Sequence, residues 1–182
     1  MKSGEQTGEF GYWLDNSLKE KSSEYSVYYD HGDTKLENVG VIQGFVGTQP
    51  KKVNTLAEVD VMVVDRNGNI KLLIEIEDKS SPSPKKLLGV VFSIILCDQF
   101  AFGVGETKQY FKITPDTILI VAGFVNPKGK KGEQINEVIK PRLNEIEMPK
   151  RLLKFENISF VFEKDIETTL EVLKERVIPI FK

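Results

Sequence analysis

The sequence predicts a mixed α/β fold, and three observations carry that expectation. Near the N-terminus Phe10, Trp13, Leu14 and Leu18 recur at helical spacing. Further on, two alternating apolar runs flank Asn67-Gly68, the strongest short-range signal for a β-hairpin. The breaker cluster Ser80-Ser-Pro82-Ser-Pro84 then precedes a long apolar run, after which strand and helix patterns alternate.

Taken in order, the first helix is expected from about Glu9 to Lys21, closed by Ser22-Ser23. Ser26–Tyr29 and Val39–Val46 read as strands separated by the turn-rich Asp30-His31-Gly32-Asp33. The hairpin strands lie near Ala57–Val64 and Ile70–Glu77. From Pro84 to about Phe100 the apolar run is long enough for a helix, and its near all-round hydrophobicity predicts a buried crossover helix. Thr117–Ala122 reads as a buried strand. A helix around Gly132–Ile146, a strand at Ile158–Phe162 and a helix at Ile166–Val177 form a C-terminal αβα extension. The basic, glycine-rich Asn126–Gly132 segment reads as a surface excursion, and no linker divides residues 1–182 into separate domains.

Composition narrows the class. With 182 residues, 40% hydrophobic and 29% charged, the chain has room for a proper core and the balance of a soluble globular protein. No apolar run is long enough to span a bilayer, and Met-Lys-Ser-Gly-Glu-Gln has no signal-peptide core, so no membrane association is expected. One cysteine, Cys97, excludes an intramolecular disulfide framework and makes a reducing cytoplasm the expected setting. A net charge of −2 argues against a surface coated in base but leaves room for local basic patches.

The hairpin carries the chemistry. If Asn67-Gly68 is a two-residue turn, Asp60 faces Glu75 across the strands and Glu58 faces Glu77. Alternation then places these four carboxylates on one face. The other face carries Val59, Val61, Val63, Ile70, Leu72, Ile74 and Ile76. A three-residue turn would instead slip the register by one and separate Asp60 from Glu75. Met62, Val64 and Leu73 share the acidic face, so it is apolar near the turn and acidic at the far end, as in a strand pair buried on both sides that opens into a cleft. Like charges opposed on a sheet repel. A divalent cation such as Mg²⁺ resolves that repulsion, since it binds through one or two carboxylates plus water and a substrate phosphate.

At these residues the sequence resembles the PD-(D/E)XK nuclease superfamily. Asp60 matches the strand Asp and Glu75-Ile76-Glu77 the Glu-x-Lys of the adjacent hairpin strand, with Glu77 standing where Lys is usual. The resemblance covers roughly Glu9 to Gly123 and implies a restriction-endonuclease-like fold. It implies Mg²⁺ (or Mn²⁺) held by Asp60, Glu75 and the Ile76 carbonyl, with Glu77 acting on the water. It further implies Glu9 as the acid of the first helix, and nucleic acid, with DNA expected, as partner and substrate. Many relatives are dimers, so a homodimer is admitted. Glu77-Asp78-Lys79 is a literal Glu-x-Lys that places Lys79 on the face of Glu75 and Glu77. Lys79, Lys85 and Lys86 are therefore candidates to replace the missing lysine.

Two other readings stay open. The Glu at position 77 suits a nuclease-fold protein that has lost catalysis and serves as a nucleic-acid- or protein-binding module. A solvated acidic hairpin in an unrelated α/β protein is the third. His31 and Cys97 are too isolated to build a zinc site or a His-dependent triad, and no phosphate-binding P-loop is present. Lys128, Lys130 and Lys131 read first as solvated surface charge, with contact to a phosphate backbone as the alternative, and Lys51-Lys52 near the carboxylate end are candidates to flank such a backbone. Ser80, Ser81 and Ser83 suit helix capping or phosphate contact.

Overall fold

A computed structural model describes residues 4–22, 24–77, 83–103, 107–125, 129–139 and 157–181. The elements are α1 (Glu5–Lys21), β1 (Tyr25–Tyr29), β2 (Ile42–Phe45), β3 (Thr55–Val59), β4 (Val61–Asp65) and β5 (Ile70–Glu77). They continue with α2 (Pro84–Leu96), β6 (Gln99–Phe102), β7 (Gln109–Lys112), β8 (Ile118–Phe124) and α3 (Lys130–Glu133). A π-helical stretch (Gln134–Ile139), β9 (Asn157–Glu163), α4 (Ile166–Val177) and a 3₁₀ turn (Ile178–Phe181) complete the chain.

Five strands form a mixed sheet in the order β1-β4-β5-β8-β9. β1, β4 and β5 are antiparallel neighbours, whereas β5, β8 and β9 run parallel. Parallel strands need both faces covered, and both are. On one side α1 and α4 pack Phe10, Leu14, Leu170 and Leu173 against Val61, Val63, Leu72 and Ile74. On the other, α2 packs Leu87, Val91 and Ile94 against Met62, Val64, Ile70 and Leu73. Leu72 and Leu73 are both fully buried on opposite faces of β5, where truncation to Ala costs about 2–5 kcal/mol each. Two buried hydroxyls brace the sheet: Thr117 donates to the Ile70 carbonyl of β5 (2.6 Å), and Thr169 of α4 to the Gly123 carbonyl of β8 (2.8 Å).

A second, antiparallel sheet, β3-β2-β6-β7, joins the α2 side of the core through Ile42, Val59, Phe100, Phe102 and Phe111. The sequence pattern did not disclose it. The expected strand Ala57–Val64 is broken at Asp60, with β3 in the second sheet and β4 in the first. Glu58 therefore lies opposite Gln43 and not Glu77, and Val59 packs on the α2 side. The helix expected to reach Phe100 stops at Leu96, because Gln99–Phe102 pairs with β2. Phe92 and Leu96 are about half exposed, so α2 is not buried all round.

The hairpin turn also differs from expectation. It has three residues, Arg66-Asn67-Gly68, closed by Asp65 N–H donating to the Asn69 carbonyl (2.9 Å). Asp65 caps it by accepting from the amides of Asn67 and Asn69, and Gly68 takes the left-handed conformation (φ 77°). Such a turn would slip the register, but a β-bulge between Val63 and Val64 takes up the extra residue, Lys71, on β5. Beyond it Val63 pairs with Leu72, Met62 with Leu73 and Val61 with Ile74. The expected register is thus restored at the acidic end, while Ile70 turns to the α2 side. Lys71 is held by ion pairs to Asp116 (2.5 Å) and Asp65 (3.6 Å).

The remaining elements follow expectation closely. α1 gains one N-terminal turn, the strand expected over Val39–Val46 shortens to β2, and β9 and α4 fall where predicted. Of the helix expected around Gly132–Ile146, residues 140–146 lie outside the described residues. Among the described residues no helix is long and apolar enough to cross a membrane.

A Cβ at Gly68 would meet nothing within 4 Å, so a substitution there acts through backbone strain alone. Gly68→Ala is expected to lower unfolding free energy by about 1–2 kcal/mol, measured by urea denaturation. A neutral result would contradict the three-residue turn.

Candidate functional site

Asp60 sits where the chain leaves one sheet for the other. Its N–H donates to the Ile74 carbonyl (3.0 Å), and its own carbonyl accepts from Asp30 N–H (2.8 Å). The Ile76 N–H is taken instead by the Asp60 carboxylate, Oδ2 lying 2.6 Å away. The carboxylate thus replaces a backbone acceptor where the β4–β5 ladder ends, which fixes it against the C-terminal half of β5. Carrying the register on by one residue sets Glu75 opposite Asp60, on the α2 face with Leu73.

Glu77, two residues on, lies at the C-terminal end of β5 and pairs with Gly123 of the parallel strand β8. A Cβ at Gly123 would come within 3.1 Å of the Glu77 Cβ, so glycine is what leaves room for this buried acid. Glu77 is only 8% exposed, and a buried carboxylate demands a partner. Lys86 supplies it, with Nζ 2.6 Å from Oε2. Ser83 caps α2 by accepting from Lys86 N–H (3.2 Å). Lys86 is therefore the third residue of the helix, where side chains lean back towards the N-terminus and so towards the end of β5. The ends of parallel strands are where open α/β sheets hold their ligands.

The electrostatics match this crowding. Burial foremost, then the negative charges of Asp60 and Glu77, push the Glu75 carboxyl up to about 9, against an opposing pull from Lys86. Glu58 adds a smaller push in the same direction. Three acids and one lysine leave an excess of negative charge that a cation would neutralise. Among the described residues no three acidic, His or Cys side chains converge closely enough to hold a metal by themselves. A hard divalent cation needs fewer, since one or two carboxylates suffice when water and substrate phosphate complete its shell. Asp60 and Glu75, with the Ile76 carbonyl, fit that requirement.

Of the acids expected at the site, Asp60, Glu75 and Glu77 are brought together. Glu9 is exposed on α1 and lines a cavity of ≈890 Å³ with Tyr12, Tyr29, Asp30 and His31. Asp30 connects that cavity to the Asp60 backbone. Lys79, Ser80 and Ser81 lie outside the described residues, as does Lys128. Lys85 is exposed, and Lys86 is the candidate lysine that reaches the acids. Cys97 is buried just after α2, with its thiol donating to the Ser93 carbonyl (3.2 Å), as expected of an inert thiol. The roles of Gly123 and Asp30 were not anticipated. Gly123 closes a predicted strand, and the glycine is the only sign in the sequence that a side chain is excluded there.

The raised Glu75 carboxyl has a definite consequence. The folded chain holds this proton up to about pH 9, whereas the unfolded chain releases it near the ordinary glutamate value of 4.5. The group favours folding fully below that lower value, and its contribution is lost as pH rises through about 9. Metal-free protein is therefore expected to lose stability between about pH 5 and 9. Glu75→Gln should flatten this dependence and raise the melting temperature at pH 8 by several degrees, at about 2–4 °C per kcal/mol for a domain of this size. A wild-type melting temperature that rises across this range would contradict the crowded site.

No family model, curated protein or solved structure matches this chain, and the account of its chemistry therefore rests on the geometry of Asp60, Glu75, Glu77 and Lys86.

Proposed function

We propose that the protein is a divalent-cation-dependent nuclease of the PD-(D/E)XK type that hydrolyses phosphodiester bonds, with DNA the expected substrate. The observation that carries this reading is the meeting of Asp60 and Glu75 at the strand junction, with the Glu77–Lys86 pair beside them. The order of elements supports it too: a helix, a hairpin bearing the acids, a crossover helix and a parallel strand.

In this reading Asp60, Glu75 and the Ile76 carbonyl hold Mg²⁺ or Mn²⁺. The chemistry supplied by that ion when bound is Lewis-acid polarisation of a phosphoryl oxygen and acidification of water. Asp60 is held in place by the Ile76 N–H, so one ligand is set before the cation arrives. Glu75 would have to give up its proton to serve as a ligand, so cation binding would tighten as pH rises towards 9. Glu77, ion-paired with Lys86, accepts a hydrogen bond from the attacking water and orients it. Lys86 supplies the positive charge that the missing strand lysine would provide. Its side chain is 57% exposed, so it can reach a phosphoryl oxygen while still paired.

A second reading, an inactive nuclease-fold module that binds nucleic acid or protein, is favoured by one observation. The Glu77–Lys86 ion pair already satisfies both partners and could serve packing alone.

Purified protein is expected to cleave plasmid DNA with Mg²⁺ or Mn²⁺, and Asp60→Ala or Glu75→Ala should abolish this. Lys86→Ala should lower the rate by roughly 10²-fold, the cost of one lost electrostatic donor, with partial rescue by Lys86→Arg. Undiminished cleavage by the Asp60 and Glu75 variants would overturn the nuclease assignment. Binding of DNA with neither cleavage nor Mn²⁺ uptake would favour the inactive module.

A further inference from the structure

The second sheet carries a feature that the carboxylate site does not use. Lys51, Lys52 and Lys108 line a cavity of ≈370 Å³ together with Gln43, Pro50 and Thr55. Among the described residues, none of these lysines has a carboxylate within ion-pair distance. Lys19, Lys71, Lys86, Lys164 and Lys174 are paired, and what sets Lys51, Lys52 and Lys108 apart from other lysines without such a partner is that they line one concavity. Three unneutralised cations around one concavity, in a chain of net charge −2, make a local anion site of the kind that whole-chain charge conceals.

The loop that presents two of them is built rather than slack. Asn54 donates to the carbonyls of Val46 (2.7 Å) and Gln49 (3.0 Å) and accepts from Lys51 N–H (2.5 Å). Thr55 donates to the Lys51 carbonyl (3.0 Å), and Gly47 N–H is held by Asp98 (2.7 Å). Lys51 and Lys52 therefore leave a braced turn, which reduces the ordering cost of binding.

The pocket also has a fixed relation to the acids. Lys108 Nζ donates to Gln43 (3.3 Å), Gln43 donates in turn to Glu58 (3.4 Å), and Glu58 stands two residues before Asp60 on the same chain path. Hydrogen-bonded side chains thus run from the basic pocket towards the candidate cation site. A cation site draws in one phosphate, and a pocket of lysines linked to it by this path suits another phosphate of the same strand.

We propose that Lys51, Lys52 and Lys108 form a phosphate-binding pocket that holds the nucleic-acid backbone beside the Asp60–Glu75 pair. This inference rests on the nuclease reading for its choice of ligand. It adds a binding element supplied by the second sheet, outside the acidic motif. Contacts of this kind carry no base information, so the pocket sets register and affinity without sequence preference.

The test is fluorescence anisotropy with a labelled duplex oligonucleotide in EDTA, across a series of salt concentrations. Lys51→Gln/Lys52→Gln/Lys108→Gln should weaken binding roughly ten-fold or more and reduce the slope of log K against log[salt] by about 2–3, near 0.9 per phosphate contact. A charge-matched control, Lys19→Gln/Lys164→Gln/Lys174→Gln, places the changes on or beside the helices of the opposite face and should leave the slope nearly unchanged. Equal losses in the two triple variants, or none in either, would overturn the pocket. Lysine-dependent binding of anionic phosphatidylserine vesicles without oligonucleotide binding would overturn it too. If the wild type cleaves DNA but the lysine variant binds normally, this inference fails alone. If the lysines govern binding but no variant or wild type ever cleaves, the hydrolytic reading fails alone.

Discussion

The hydrogen bond from Ile76 N–H to the Asp60 carboxylate is the contact on which the rest of the arrangement depends. It occurs where a continuous chain path changes sheets and an amide of β5 would otherwise lose its ladder partner. An unsatisfied buried amide costs about 1–3 kcal/mol, so an acceptor is needed at this point. Supplying it from a carboxylate anchors Asp60 over β5 and lets β3 depart into the second sheet. One side chain thus connects the fold of both sheets to the placement of the acids.

The site that results concentrates negative charge and only partly relieves it. Lys86 satisfies Glu77, while Glu75, crowded by burial and by both neighbouring acids, retains its proton to unusually high pH. Such an arrangement is poor for stability, and in the proposed reading the cation it would capture offsets that conflict. In the proposed nuclease reading, Lys86 at a helix start takes the place of the lysine missing from the strand. The capped first turn of α2 directs that side chain back towards the end of β5.

The hairpin shows how sequence reasoning succeeds and fails here. The expected pairing of Asp60 with Glu75 matches the observed register at Val61–Val63, yet the turn assumed in deriving it is wrong. The three-residue turn shifts the register by one and the bulge at Lys71 shifts it back, so two departures cancel at the acidic end. Near the turn they do not cancel, which is why Ile70 faces α2. The bulge is specified by Lys71 reaching Asp116 and Asp65, and Asp116 is too distant in sequence for any local pattern to reveal it.

By itself the sequence determined the α/β class, the hairpin, the cores of most helices and strands, and the identity of the three clustered acids. These depend on local periodicity and on alternation along single strands, which short-range sterics impose. Only the tertiary structure decided that Asp60 marks a break between two sheets, that Glu58 belongs to the second, and that Gln99–Phe102 is a strand. It also decided which lysine reaches Glu77 and which three surround a pocket of their own. Each of these outcomes requires groups distant in the chain to satisfy one another's hydrogen bonds or charges, and that information lies in the packing rather than in any local run of residues.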